Sequence, residues 1–107
     1  KEVSQSDFKT AGILKKTGVT VAITTDHPVS RIQYLPLCAA LAAKEGLGEY
    51  DALKAITIDA AKICRVEHRL GSLKVGKDAD FVIFEGNPFD IFSRVFVTVI
   101  DGKIVWQ

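Results

Sequence analysis

The neighbouring residues Asp26 and His27 have the clearest chemical potential in the sequence, because the apolar run of VAITTDHPVS stops at them, just before Pro28. In α/β proteins, functional groups collect where strands end and loops begin. A carboxylate in that position can bind a hard or borderline cation such as zinc, manganese or magnesium. It can also act as a general base on a metal-bound water. The residue types therefore indicate metal-assisted proton transfer.

A structural role for the same residues is the alternative. Asp26 can accept hydrogen bonds from backbone amides in an Asx-type turn ahead of Pro28. One carboxylate and one imidazole also fall short of a metal site, which needs at least two further ligands. The other histidine, His68, stands among charged residues and is predicted to be a solvated surface residue.

Length, composition and charge limit the class of protein. The 107 residues suffice for one small domain, and a hydrophobic content of 48% favours a packed core. The 14 basic and 13 acidic residues give a formal charge of +1, which offers no electrostatic basis for binding nucleic acid or an anionic membrane. No apolar run approaches the roughly 20 residues of a membrane-spanning helix. Two distant cysteines without CxxC spacing are typical of buried, reduced thiols, so we expect a cytoplasmic protein.

The first part of the chain is predicted to be mainly helical. DFKTAGILKK predicts a helix over 7–16 that stops at Gly18. VTVAIT, residues 19–24, is a β-branched run typical of a strand covered on both faces in a parallel sheet. YLPLCAALAAKEGLG predicts a helix buried on several sides, with Pro36 in its first turn. EYDALKAI and TIDAAKIC predict two more short helices.

The second part of the chain is predicted to be β-structure. Residues 79–84 predict another well-covered strand. In RVFVTVIDGKIVWQ, Asp101 and Gly102 predict a type I′ turn between two strands. This change, from alanine-rich helical segments to segments rich in β-branched and aromatic residues, divides the chain into residues 1–65 and 66–107. A single parallel-type strand cannot form a sheet, so we expect its neighbours to lie in polypeptide absent from this chain.

Two blocks of the sequence resemble the C-terminal third of the metal-dependent amidohydrolase superfamily, particularly its imidazolonepropionase-like branch. AGILKKTGVTVAITTDHPV resembles the segment leading into the eighth barrel strand, and LGSLKVGKDADFVIFEGNPFDIFSRVFVTVIDGKIVW resembles the closing β-sandwich signature. The helical link departs from the family at Asp59, Ala60 and Ala61, where Asn-Pro-Ala is usual. The resemblance implies an α/β fold. Residues 1–65 would be the last unit and following helices of a (β/α)8 TIM-type barrel, and 66–107 would be strands of a composite β-sandwich domain.

The resemblance also implies a reaction, the hydrolysis of a non-peptide carbon–nitrogen bond in a cyclic or linear amide or amidine. Asp26 matches the family's aspartate after strand eight. The resemblance implies that it contacts the catalytic metal, takes a proton from the bound water and later protonates the leaving nitrogen. His27 either touches substrate, supports Asp26 or is an ordinary loop histidine, and Thr25 is a candidate hydrogen-bond donor in support.

The cofactor implied for the full-length protein is a divalent metal, with zinc first and iron or manganese as alternatives. The family's other ligands have no counterpart in this chain and would lie upstream of Lys1. We therefore expect this piece alone to be inactive and to bind no metal. The full-length protein would take a small-molecule substrate, whose identity the sequence does not reveal.

Two alternatives remain at this stage. The first is a non-catalytic binding or assembly module that reuses the same segment. The second is an α+β domain of unrelated role, which leaves the run at 19–24 without neighbours. Because a partial barrel exposes apolar faces and open strand edges, we also expect a homo-oligomer or self-association.

Overall fold

The computed structural model describes residues 6–107, so the first five residues of the predicted 1–65 part lie outside the described range. Four helices, a 3₁₀ turn and a π-helical turn precede three strands. Their bounds are α1 Ser6–Lys16, the 3₁₀ turn Ile32–Tyr34, α2 Leu35–Ala42, the π-helical turn Ala43–Leu47, α3 Glu49–Ala55, α4 Ile58–Ile63, β1 Phe81–Glu85, β2 Arg94–Ile100 and β3 Lys103–Trp106. The predicted division at residue 65 stays a prediction.

Helix α1 forms where its sequence predicted it and ends at a glycine. Gly18 has a φ of 87°, and its N–H donates to the carbonyl of Lys15. Only glycine adopts such a φ without a steric cost, so the chain turns here. The helical region packs around small side chains, which let the helices approach closely. Its buried cluster consists of Ala39, Ala42, Leu47, Ala52 and Ala55.

The predicted long helix is confirmed in part. Pro36 lies in the first turn of α2, where its missing N–H costs nothing. The regular helix stops at Ala42, and the following π-helical turn contains Gly46 at a φ of 123°. Burial on several sides is wrong for this structure, since Leu37 is 48% and Leu41 37% exposed. No other described layer packs over that side of α2.

The expected strand over 19–24 is a second correction. These residues form no strand ladder with any described part of the chain. A strand needs a partner strand for its amide and carbonyl groups, and none lies beside this segment. Val19, Ala22 and Thr24 are exposed, so the expected cover on both faces is also absent here.

The predicted hairpin is confirmed. β2 and β3 pair antiparallel around Asp101 and Gly102, whose φ values of 51° and 74° are both positive, as a type I′ turn requires. β1 pairs antiparallel with β2, giving the order β1-β2-β3. β1 is less covered than predicted, since Val82 is 45% and Ile83 46% exposed.

The two cysteines are free in the structure. Cys38 is half-buried, whereas Cys64 is exposed, which corrects the expectation of two buried thiols. Cys64 is the residue that directly follows the last turn of α4. No helix in the described range is long and apolar enough to cross a membrane.

Candidate active-site turn

The segment that carries the candidate residues is anchored by alternate side chains. Val21 and Ile23 are half-buried and Thr25 is 7% exposed, whereas the intervening residues are exposed. The N–H of Ile23 donates to the carbonyl of Ala55 over 3.1 Å, which ties the segment to α3. The buried Thr25 is the last anchored residue, so Asp26 lies where the chain leaves the packed interior.

The turn at Asp26 is closed by its backbone and not by its carboxylate. Asp26 has a φ of 56°, in the left-handed region. Its N–H donates to Thr24 Oγ1 over 3.3 Å, and its carbonyl accepts from the N–H of Val29 over 2.9 Å. No described amide donates to the carboxylate, so the Asx-type turn considered as the alternative is wrong for this structure. The exposed carboxylate is left available to bind something else.

Thr24 is a contributor to the turn that the sequence analysis missed. Its hydroxyl oxygen accepts the Asp26 N–H and so supports the left-handed residue. The signal was present in the sequence as a hydroxyl side chain two positions before the aspartate, the spacing at which short polar side chains bond a nearby amide. The predicted support from Thr25 has no hydrogen bond behind it in the described structure, where Thr25 serves as a buried anchor.

The imidazole of His27 has a specific local partner. Its Nδ1 accepts a hydrogen bond from the N–H of Ile32 over 3.3 Å, which links the turn to the start of the 3₁₀ helix. The ring is otherwise exposed. His27 makes no hydrogen bond with Asp26, so the structure places the two candidate residues side by side without joining them.

The described residues do not by themselves fit a metal ion. Among them, no group of three or more His, Cys, Asp or Glu side chains is placed to hold one. His68, the second histidine, is exposed on another part of the surface, as predicted. Asp26 offers one hard oxygen donor, which suits one position around a divalent cation, but protein sites usually supply three or more ligands.

The relationship to known proteins follows from a match along most of the chain. The model of the family described as "Amidohydrolase family" matches residues 4–106. This chain belongs to the amidohydrolase family. The resemblance predicted from its sequence blocks is therefore confirmed, and the imidazolonepropionase branch is found among its relatives.

Relatives in plants and bacteria are similar over most of this chain. It is 48% identical over 103 residues to Protein LONG AFTER FAR-RED 3 of Arabidopsis thaliana, covering 92% of this chain and 16% of that protein. It is 46% identical over 75 residues to an imidazolonepropionase of Brevibacillus brevis, covering 67% of this chain and 18% of that protein. This chain of the amidohydrolase family therefore spans less than a fifth of the length of these two relatives.

A solved structure shows the same backbone arrangement. The chain superposes with a TM-score of 0.90 and 42% identity on the crystal structure of an amidohydrolase from Thermotoga maritima, covering 94% of this chain and 26% of that one. This amidohydrolase-family chain therefore has a counterpart for nearly all of its fold within a larger enzyme-family structure.

Proposed function

We propose that this chain is part of a longer hydrolase that cleaves a non-peptide carbon–nitrogen bond in a cyclic or linear amide or amidine. Membership of the amidohydrolase family and the similarity to an imidazolonepropionase support a reaction of this class. We further propose that residues 19–24 take the place of the last barrel strand, and that 66–107 contribute to a β-sandwich, in the larger protein. The match to about a quarter of a larger amidohydrolase supports that arrangement.

The proposal of a specific residue rests on one observation, namely that the carboxylate of Asp26 has no partner among the described residues. It is exposed at the end of an anchored segment, and its backbone is held by Thr24 and Val29, so the side chain is free while its base is fixed. A carboxylate oxygen so placed can accept a proton from an attacking water and return it to the leaving nitrogen. These two proton transfers need one group that acts first as a base and then as an acid, and an aspartate can do both.

The proposed cofactor is a divalent metal, with zinc first and iron or manganese as alternatives. When bound, such an ion lowers the pKa of a coordinated water to about 7 and polarises a carbonyl oxygen. Asp26 would supply one oxygen ligand, and the other ligands would come from polypeptide outside this chain. Proton transfer by Asp26 is the part of the reaction that this chain contributes.

The test is a pair of substitutions in the full-length protein. Asp26→Asn keeps the shape and tolerates the positive φ but removes the basic oxygen, so we expect hydrolysis of amide and amidine substrates to fall by about 10²–10⁴-fold. Asp101→Asn is a matched control, since Asp101 is also exposed and has a φ of 51°. It should leave the rate unchanged.

Two results would contradict the proposal. If Asp26→Asn hydrolyses its substrate at the wild-type rate, Asp26 is not the proton-transfer group. If the wild-type protein hydrolyses no compound in a panel of cyclic and linear amides and amidines, the alternative of a non-catalytic binding or assembly module is favoured instead.

A further inference from the structure

The hydrogen bond at His27 identifies which ring nitrogen holds the proton. A neutral imidazole has one N–H donor and one acceptor nitrogen. Nδ1 accepts from the N–H of Ile32 over 3.3 Å, so Nδ1 presents a lone pair. The proton of the neutral ring is then on Nε2.

The Nε2–H group has no acceptor within the described structure. The ring is exposed, and its one hydrogen bond there is the contact with Ile32. The adjacent carboxylate of Asp26 is likewise without a partner among the described residues. The turn thus presents, on two consecutive exposed residues, a donor and an acceptor that have no partner among the described protein groups. An amide has a carbonyl oxygen that accepts a hydrogen bond and an N–H that donates one, which is the complementary pair.

We infer that His27 is a substrate-contacting residue that donates a hydrogen bond from Nε2 to a carbonyl or carboxylate oxygen of the substrate, and that it does not ligate metal. This inference rests on the proposed function, since it assigns the substrate's acceptor atom to the same turn. The lone pairs of the imidazole support the claim that His27 does not ligate metal. A nitrogen that carries a proton has no free lone pair for a metal, and moving the proton to Nδ1 would break the bond from Ile32.

The first experiment reads the tautomer directly. Nitrogen-15 NMR of the histidine rings in the full-length protein distinguishes the two neutral tautomers by the nitrogen that bears hydrogen. We expect the proton on Nε2 of His27. A proton on Nδ1 would overturn the inference, whatever the activity of the protein.

The second experiment separates the turn from the substrate contact. His27→Asn retains a side-chain oxygen that can accept from the N–H of Ile32, but it lacks a donor at the position of Nε2. His27→Gln reaches that position with an amide N–H. We expect kcat/KM to fall about 10-fold in His27→Asn, as expected for one lost hydrogen bond, and to recover in part in His27→Gln.

Two controls distinguish a substrate contact by His27 from a purely structural role of that residue. His68→Asn changes an exposed histidine elsewhere and should leave kcat/KM unchanged. The melting temperature and the bound metal content of His27→Asn should match those of the wild type. A loss of bound metal, or an unchanged kcat/KM, would overturn the inference.

The outcome also separates this inference from the proposed function. If the wild type is active, Asp26→Asn is inactive and His27→Asn behaves as wild type, then only the role of His27 fails. If Asp26→Asn is fully active or the wild type hydrolyses nothing, the proposed function fails, and the NMR measurement still decides the tautomer.

Discussion

Gly12 of α1 lies directly against the backbone of Gly46, so that a Cβ added to Gly12 would be 3.0 Å from the Gly46 carbonyl carbon. The same added atom would lie 3.1 Å from the backbone nitrogen of Leu47. Contacts this short with backbone atoms cannot be relieved by rotating a side chain. The close approach brings α1 against the π-helical turn.

We expect Gly12→Ala to destabilise the protein by about 1–3 kcal/mol, the usual cost of overpacking. Alanine is otherwise favoured in a helix by about 1 kcal/mol, so a net loss of stability would show that the backbone contact dominates. Thermal unfolding measures the change. Lys9→Ala, at an exposed position of the same helix, is the control and should shift the melting temperature little. A more stable Gly12→Ala protein would contradict the packing described.

The ammonium of Lys15 pairs with a buried carboxylate and joins α1 to α4. Its Nζ lies 3.7 Å from Asp59 Oδ2, and Asp59 is 4% exposed. The same Nζ lies 3.9 Å from the more exposed Asp51. Removing the cation by Lys15→Met leaves a buried carboxylate without its partner, so we expect a loss of about 1–3 kcal/mol in the free energy of unfolding.

Asp51→Asn supplies the matched control for that ion pair. It removes the exposed partner and should cost no more than about 1 kcal/mol. Chemical denaturation of both variants gives the comparison. If the two substitutions lower the free energy of unfolding equally, the burial of Asp59 does not strengthen its ion pair with Lys15.

The left-handed turn at Asp26 gives a stability prediction separate from catalysis. Because the carboxylate has no hydrogen bond or ion pair with a described group, Asp26→Asn should leave the melting temperature nearly unchanged, and asparagine tolerates this φ. Asp26→Ala should be less stable by about 1 kcal/mol, since alanine adopts a positive φ at that cost. A marked destabilisation by Asp26→Asn would mean that the carboxylate has a structural partner.

The ion pair between Arg69 and Asp78 gives a pH dependence. Arg69 Nη2 donates to Asp78 Oδ2 over 2.7 Å, and Nε donates to Oδ1 over 3.3 Å. These hydrogen bonds, aided by the positive charge and opposed by partial desolvation, lower the pKa of Asp78 from its ordinary value of 3.8. A lowered pKa in the folded state stabilises the protein above the unfolded pKa, and this contribution is lost as the pH falls through the folded value.

We therefore expect Asp78→Asn to be less stable than the wild type at neutral pH and to differ little from it in strong acid, below the folded pKa of Asp78. Urea denaturation at the two pH values measures the difference. Because the pair is exposed, added salt should shrink the difference at neutral pH. A difference that persists undiminished in strong acid would show that Asp78 acts through something other than its charge.

Local signals in the sequence account for the parts of the fold that were predicted correctly. Asp101 and Gly102 determine their turn almost by themselves, and Gly18 ends α1 for a reason confined to its own φ. The run at 19–24 forms no strand among the described residues, because β-branched composition reports a preference, whereas strand formation depends on a partner strand. The present chain offers no such partner within its described range.

The sequence singles out the candidate residues by type but does not reveal their hydrogen bonds. Asp26 and His27 stood out by residue type at the end of an apolar run. The acceptor role of Thr24 depends on the left-handed φ of Asp26, and the contact between His27 and Ile32 depends on how the chain returns after the turn. The spacing of Thr24 allows its hydrogen bond but does not fix the left-handed φ on which it depends, and no local spacing indicates the contact between His27 and Ile32.

Exposed apolar side chains on the sheet lead to the last prediction. In the described part of the chain, edge strand β3 pairs with β2 alone, and its residues Ile104, Val105 and Trp106 are 55–60% exposed. An open, apolar strand edge is a site for pairing with another chain. We propose that the 107-residue chain by itself associates with further copies through this edge.

Sedimentation velocity of the isolated chain tests this, and the substitutions are chosen to act on the edge. Lysine on an edge strand opposes such pairing, so Ile104→Lys combined with Trp106→Lys should shift the chain towards monomer. Val75→Lys replaces an equally apolar, fully exposed residue outside the sheet and should leave association unchanged. If the unmodified chain sediments as a single monomeric species, β3 does not associate with a second copy, and the prediction is wrong.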